Sequence, residues 1–155
     1  MTDSYEIVFQ QVAVSDLHQL LELMKMDSQS LSELAVSEDF GKADSSKDSG
    51  ILIDRFISYS GEICLTGKLH GFSFSEGMQL PLVFLRVIKY GGEVDVELSF
   101  DDTSLPDISC VMRAAQKYAS TLSKKFDVNE FYGGLEPAVD FDTRYFTGDF
   151  LGPLN

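Results

Sequence analysis

The segment GGEVDVELSFDD places Glu93, Asp95 and Glu97 at every second position, with Asp101 and Asp102 just beyond. In an extended chain this spacing turns the three side chains to one face, about 7 Å apart between neighbours. Carboxylates in that arrangement can ligate a hard cation, share a proton in acid/base work, or present a negative face to a cationic macromolecule. The first two need a converging group, and none is spaced to supply it. His18 falls on the polar side of a helical pattern and reads as a solvated residue; His70 stands beside Gly71 at a strand end. Cys64 and Cys110 both sit inside apolar patterns and read as buried, reduced thiols, without metal-ligand spacing around either. No nucleophile elbow, Walker loop, dinucleotide fingerprint, HExxH or EF-hand loop occurs. Carboxylate pairs are so plentiful that no single pair stands out as a catalytic dyad. The expectation is therefore a protein that is no enzyme and takes no metal or cofactor.

A second group of candidates follows near the end of the chain. Tyr132, Glu136, Asp140, Asp142 and Tyr145 interleave acids with aromatics, among Phe131, Phe141, Phe146 and Phe150. Some of these rings must cover the core. An exposed subset beside carboxylates would suit contact with a basic protein surface. With Glu93, Asp95, Glu97, Asp101 and Asp102, these five residues form the expected partner-binding set.

Charge narrows the class of partner. Twelve Lys and Arg stand against 25 Asp and Glu, giving a net charge of −13 and a pI near 4.3. Such a field repels phosphate backbones and anionic headgroups, so direct binding of nucleic acid or membrane is not expected. The N-terminal residues lack a basic region followed by an apolar run, and no apolar stretch reaches the ~18 residues of a membrane span. The chain reads as cytoplasmic, with its oligomeric state open.

The elements that position these residues follow from periodicity. Tyr5 to Val14 reads as a first strand in which Gln10 and Gln11 blur the alternation. Leu17, Leu20, Leu21 and Met24 then trace a helix capped by Ser15 or Asp16. Ser30 and Glu33 are spaced as a capping box, which predicts a short helical turn over 30–36. Residues 37–50 carry one large apolar side chain among Ser, Asp, Lys and Gly and are expected to form a mobile loop.

Ile51, Ile53, Ile57 and Tyr59 alternate as a strand, turning at Ser60-Gly61 into a second one with Ile63, Leu65 and Leu69. The nearly continuous apolar run from Leu80 to Tyr90 predicts a central strand covered on both faces. After Gly91-Gly92, the acidic strand buries Val94, Val96, Leu98 and Phe100 opposite its carboxylates. Pro106 suits the first turn of a helix capped by Ser104 or Asp107, with an apolar stripe at Ile108, Val111, Met112, Ala115, Tyr118, Ala119 and Leu122, closed by Lys124-Lys125. Glu130 to Tyr132 reads as a last short strand, and 133–155 as an irregular C-terminal tail. The fold class is a single α+β domain over 1–155, mainly an antiparallel sheet with two main helices packed on one face.

In size, acidity, α+β patterning and the segments GGEVDVELSFDD and FYGGLEPAVDFDTRYFTGDF, the chain resembles the small acidic immunity proteins of bacterial polymorphic and contact-dependent toxin systems. The resemblance implies a cytosolic protein that binds one toxin domain with a basic surface, commonly a nuclease, and holds it inactive. Secretion chaperones of the type III class, acidic and of similar length, are the alternative; their partner is an effector segment.

Overall fold

The computed structural model describes residues 3–37, 49–102 and 107–155. In chain order its strands are β1 (Ser4–Ala13), β2 (Ser30–Val36), β3 (Ile63–Ser75), β4 (Met78–Tyr90), β5 (Glu93–Asp101), β6 (Glu130–Leu135), β7 (Arg144–Thr147) and β8 (Phe150–Leu151). The helices are α1 (Leu17–Met26), α2 (Ser49–Ser58) and α3 (Ile108–Phe126). All eight strands join one antiparallel sheet in the order β2-β3-β4-β5-β1-β6-β7-β8. The α+β class and the segregation of helices to one face are as expected, with one helix more.

One phase of every long strand supplies the core. Ile7 and Phe9 of β1 lie opposite Leu98 and Val96 of β5, and this row continues into Leu85 and Val87 of β4. Leu17, Leu20 and Met24 of α1, Leu52 and Phe56 of α2, and Val111, Met112 and Ala115 of α3 close over these residues in one cluster. The α3 stripe is buried as its periodicity predicts, and its first turn is capped by Asp107, whose side chain accepts from the Ser109 amide. Asp127, in the left-handed region, ends it after Lys124 and Lys125. At α1 neither Ser15 nor Asp16 bonds as a cap; the chain enters through a short 3-10 turn at Val14–Asp16.

Four expectations need correction. Residues 49–58 are helical, not a strand: Leu52, Ile53 and Phe56 are buried at helical spacing while Ile51 is exposed, so no hairpin precedes β3. Residues 30–36 form an edge strand in place of a helical turn. Their pairing with β3 slips between Ser32 and Ala35, where Glu33 has φ 52°. This bulge brings Leu31 and Leu34, three positions apart, onto the same neighbour, Gly67. It breaks the period of two by which a strand is recognised. β4 is central but covered on one face only, since Pro81, Phe84 and Arg86 are exposed on the other. The 133–155 segment is partly ordered into strands: β6 runs on through Gly133-Gly134, and β7 and β8 extend the sheet. At Gly134 a Cβ would stand 2.2 Å from the Thr143 carbonyl oxygen, so only glycine admits β7 this closely.

The thiols differ as well: Cys64 is partly buried and Cys110 exposed, both free. Of the expected 37–50 loop, residues 38–48 lie outside the described residues. Ser37 closes on Cys64 through two hydrogen bonds, and Ser49 and Gly50 open α2.

Lys89 explains how α2 docks. It lies on the core phase of β4 beyond Val87 and is only 6% exposed. Its ammonium donates to the carbonyls of Phe56 and Ile57 and, at 2.5 Å, to that of Tyr59. A cation thus meets the negative end of the helix, where carbonyls have no partner within the helix. Replacing Lys89 by Met should remove these three charge-assisted hydrogen bonds from the end of α2, lowering stability by about 3 kcal/mol in urea unfolding with loss of helical signal from α2. Met112→Ala, which opens the core beneath α3, should cost about 2–5 kcal/mol in the same measurement.

Candidate functional site

The face of the sheet away from the helices is assembled by register. Thr66, Arg86, Glu97, Val8 and Tyr132 lie side by side across β3, β4, β5, β1 and β6; Lys68, Phe84, Ser99, Glu6 and Gly134 form the next row. The loop between β6 and β7 folds back over these rows. Ala138, fully buried, donates its amide to Glu6 Oε2 at 2.7 Å and accepts from Arg144 Nε at 2.7 Å. The Arg144 guanidinium also bonds Val139 O and Thr147 Oγ1 and stacks 3.9 Å above the Tyr132 ring. Thr143 adds bonds to the carbonyls of Pro137 and Asp140. Held at both ends, the loop leaves Val139 and Phe141 each 61% exposed.

Between loop and sheet runs a groove of about 460 Å³, whose wall includes Glu6, Phe84, Arg86, Glu97, Glu136 and Val139. Its charge is unbalanced. Arg86 Nε reaches Glu97 at 3.2 Å from the facing position on β4, yet Glu97 is pushed above the ordinary carboxylate range. Partial burial is the main cause, opposed by Arg86 and reinforced by Glu6, Asp95 and Glu136. Glu6 is raised in the same way: burial leads, the Ala138 amide opposes it, and Glu136 adds to it.

The expected partner-binding residues divide. Glu97, Tyr132 and Glu136 come together in the groove wall, although Tyr132 is buried beneath Arg144. Asp95 stands beside them and is internally engaged: its Oδ1 accepts from Tyr90 Oη at 2.7 Å and from the Gln11 amide at 3.0 Å. That amide belongs to the β1 bulge, where Gln11 has φ 56°, which is why the two glutamines blur the alternation. Glu93 and Asp101 lie at opposite ends of β5, so the strand does not concentrate all five acids. Asp102 binds the Asp3 amide. Asp140 and Asp142 are exposed on the loop, whereas Tyr145 lies toward the helices, against Tyr5. Glu6, Phe84 and Val139 were not among the expected residues. Glu6 does stand on the outward phase of β1, a signal the sequence carries, but its neighbours are set by register.

Elsewhere, His18 pairs with Asp54 at 2.5 Å and His70 with Ser32 Oγ at 2.6 Å. Among the described residues, no group of three or more His, Cys, Asp or Glu is placed to hold a metal ion. No helix among them is long and apolar enough to cross a membrane.

An antiparallel sheet roofed on one side, with a polar groove on the other, defines an open-faced α+β domain. Comparison with known proteins makes this specific. The chain belongs to the PABL017 Cdi1I immunity protein family, which matches residues 3–150. It is also similar, with a TM-score of 0.90, 39% identity and 100% of each chain covered, to a chain in the 1.75 Å crystal structure of the toxic C-terminal tip of CdiA from Pseudomonas aeruginosa in complex with immune protein. None of the curated proteins compared matches it.

The raised carboxylates have a consequence for stability. Between their ordinary value near 4.5 and the raised one, the folded protein keeps protons that the unfolded chain has released. The contribution of Glu6 and Glu97 to stability therefore falls as pH rises through that window and stays at its lower level above it. Glu97→Gln should match or exceed the parent in thermal midpoint at pH 7, and the two should converge toward pH 4. Thermal melts across that range check it; a lower midpoint at pH 7 would mean that the Arg86 pair outweighs the burial of charge.

Proposed function

We propose that this protein neutralises a CdiA-type toxin domain by binding it, without catalysis, through the open face of its sheet. The observation that carries the reading is the gathering of Glu6, Glu97 and Glu136 in one partly buried groove, in a chain of the immunity family. Glu6 uses one oxygen on the Ala138 amide, Glu97 is partly buried with more carboxylates than cations around it, and Glu136 is exposed beside them. They become favourable when a cationic surface covers them. The partner is thus a toxin domain with a basic surface, and a nuclease fits that charge because its own substrate is anionic.

Glu93, Asp101, Asp102, Asp140 and Asp142 surround the groove with negative potential that steers the encounter. Asp95 acts beneath it by holding the β1 bulge, and Tyr132 by seating Arg144. Tyr145 supports the loop from the helix side. The protein works in the cytoplasm, where an incoming toxin meets its target, and requires no metal, cofactor, nucleic acid or membrane. The family match favours this reading over a secretion chaperone for an effector segment.

The test is whether the reading frame beside this chain's gene encodes a CdiA C-terminal tip, followed by co-purification with that tip and protection of cells expressing it. A stoichiometric complex and restored growth are expected; failure of both would overturn the reading. Reversing Glu97 and Glu136 to Lys should slow association about 10-fold or more at low salt and flatten its salt dependence. An unchanged, salt-sensitive rate would move the interface to another surface.

A further inference from the structure

Two features of the groove are left unused by a general charge attraction. Phe84 is 44% exposed in mid-strand on the open face, where the ammonium of its cross-strand neighbour Lys68, itself paired with Glu33, lies 5.9 Å from its ring. Val139, on the opposite wall, is 61% exposed on a loop whose backbone is fixed by Glu6 and Arg144. Exposed apolar surface at Phe84 and Val139 beside the carboxylates calls for an occupant with an apolar stem and a cationic end. Lysine and arginine side chains have that form. A bare metal ion does not use such apolar surface, and the groove, at about 460 Å³, is far larger than one ion needs. An uncharged apolar side chain would strand the acids.

We propose that one lysine or arginine of the toxin domain anchors the complex by laying its methylenes against Phe84 and Val139 and placing its charge among Glu6, Glu97 and Glu136. The inference rests on the toxin-binding reading above. Glu6 has two parts in it. One oxygen holds Ala138, and with it the wall that carries Val139; the carboxylate as a whole adds negative charge to the floor. Arg86 sits beside Glu97 with more than half of its side chain exposed, so it can turn outward when a second cation arrives. The anchor is then fully enclosed, as binding hot spots are, while the outer acids contribute mainly to the rate of encounter.

The experiment measures affinity between the purified chain and that CdiA C-terminal tip, by calorimetry at 150 mM salt, for the parent and for Phe84→Ser, Glu97→Gln and Glu22→Gln, the last on the exposed face of α1. Phe84 faces away from the core and Gln is isosteric with Glu, so the variants should fold; matching circular dichroism and thermal midpoints no lower than the parent's verify this. Phe84→Ser and Glu97→Gln should each weaken binding about 30-fold or more, and Glu22→Gln less than about 3-fold. Each Lys and Arg on the tip is then changed to Ala and paired with Glu97→Gln in double-mutant cycles. One position should lose its effect when Glu97 is already neutral. If the parent forms no complex, the reading and the anchor fall together. If it binds and the groove variants bind equally well, or if coupling spreads over many toxin residues, the anchor alone is overturned.

Discussion

An eight-stranded sheet roofed by helices on one side only must satisfy its other side from within. That constraint organises the molecule. The three helices among the described residues draw on one phase of the strands, and the outward phase of the same strands is left with partial burial and no second layer of described helices. Where a β-sandwich would set a second sheet, this chain folds back the loop between β6 and β7 and fixes it through Ala138, bonded on both sides of its backbone. The result is half a cover. It buries Val8 and Tyr132 in a small second cluster, reaches Glu6 through Ala138, and leaves Phe84 exposed.

The two faces are coupled through β1. Its inward residues, Tyr5, Ile7 and Phe9, belong to the main core, while Glu6 and Val8 support the loop and groove. Its bulge at Gln11 is secured by Asp95 from the neighbouring strand. A strand that serves both layers leaves little freedom for the groove to deform without disturbing the core. In the proposed mode of binding, such a surface is organised before the partner arrives, which limits the ordering entropy lost on association.

Much of the fold was legible because its periods are clean: α1, β5 and the long α3 each repeat faithfully over enough residues to declare their type. The misreadings share a cause. Over 51–59, Ile51, Ile53, Ile57 and Tyr59 fit alternation while Leu52, Ile53 and Phe56 fit helical spacing, and the deciding interaction comes from Lys89, some thirty positions later. Over 30–36, a bulge disguises a strand as a capping box. In the tail, the Gly133-Gly134 pair resembles a turn, whereas it serves the close approach of β7. The candidate site was half visible for a related reason. Glu97 and Glu136 belong to conspicuous acidic segments, but Glu6 and Phe84 become their neighbours through strand register, which local sequence does not state.

The placement of β1 also governs the order in which the molecule can be made. Of the eight strands, the one synthesised first ends between β5 and β6. Contacts reach across 132 positions from its Glu6 to Ala138, and across 99 from Asp3, just before it, to Asp102. Until those segments exist, β1 has two bare edges and no sheet to enter, whereas a local hairpin such as β3-β4 can form ahead of it. Closing the sheet is therefore a late, long-range event that follows synthesis of β5 and β6.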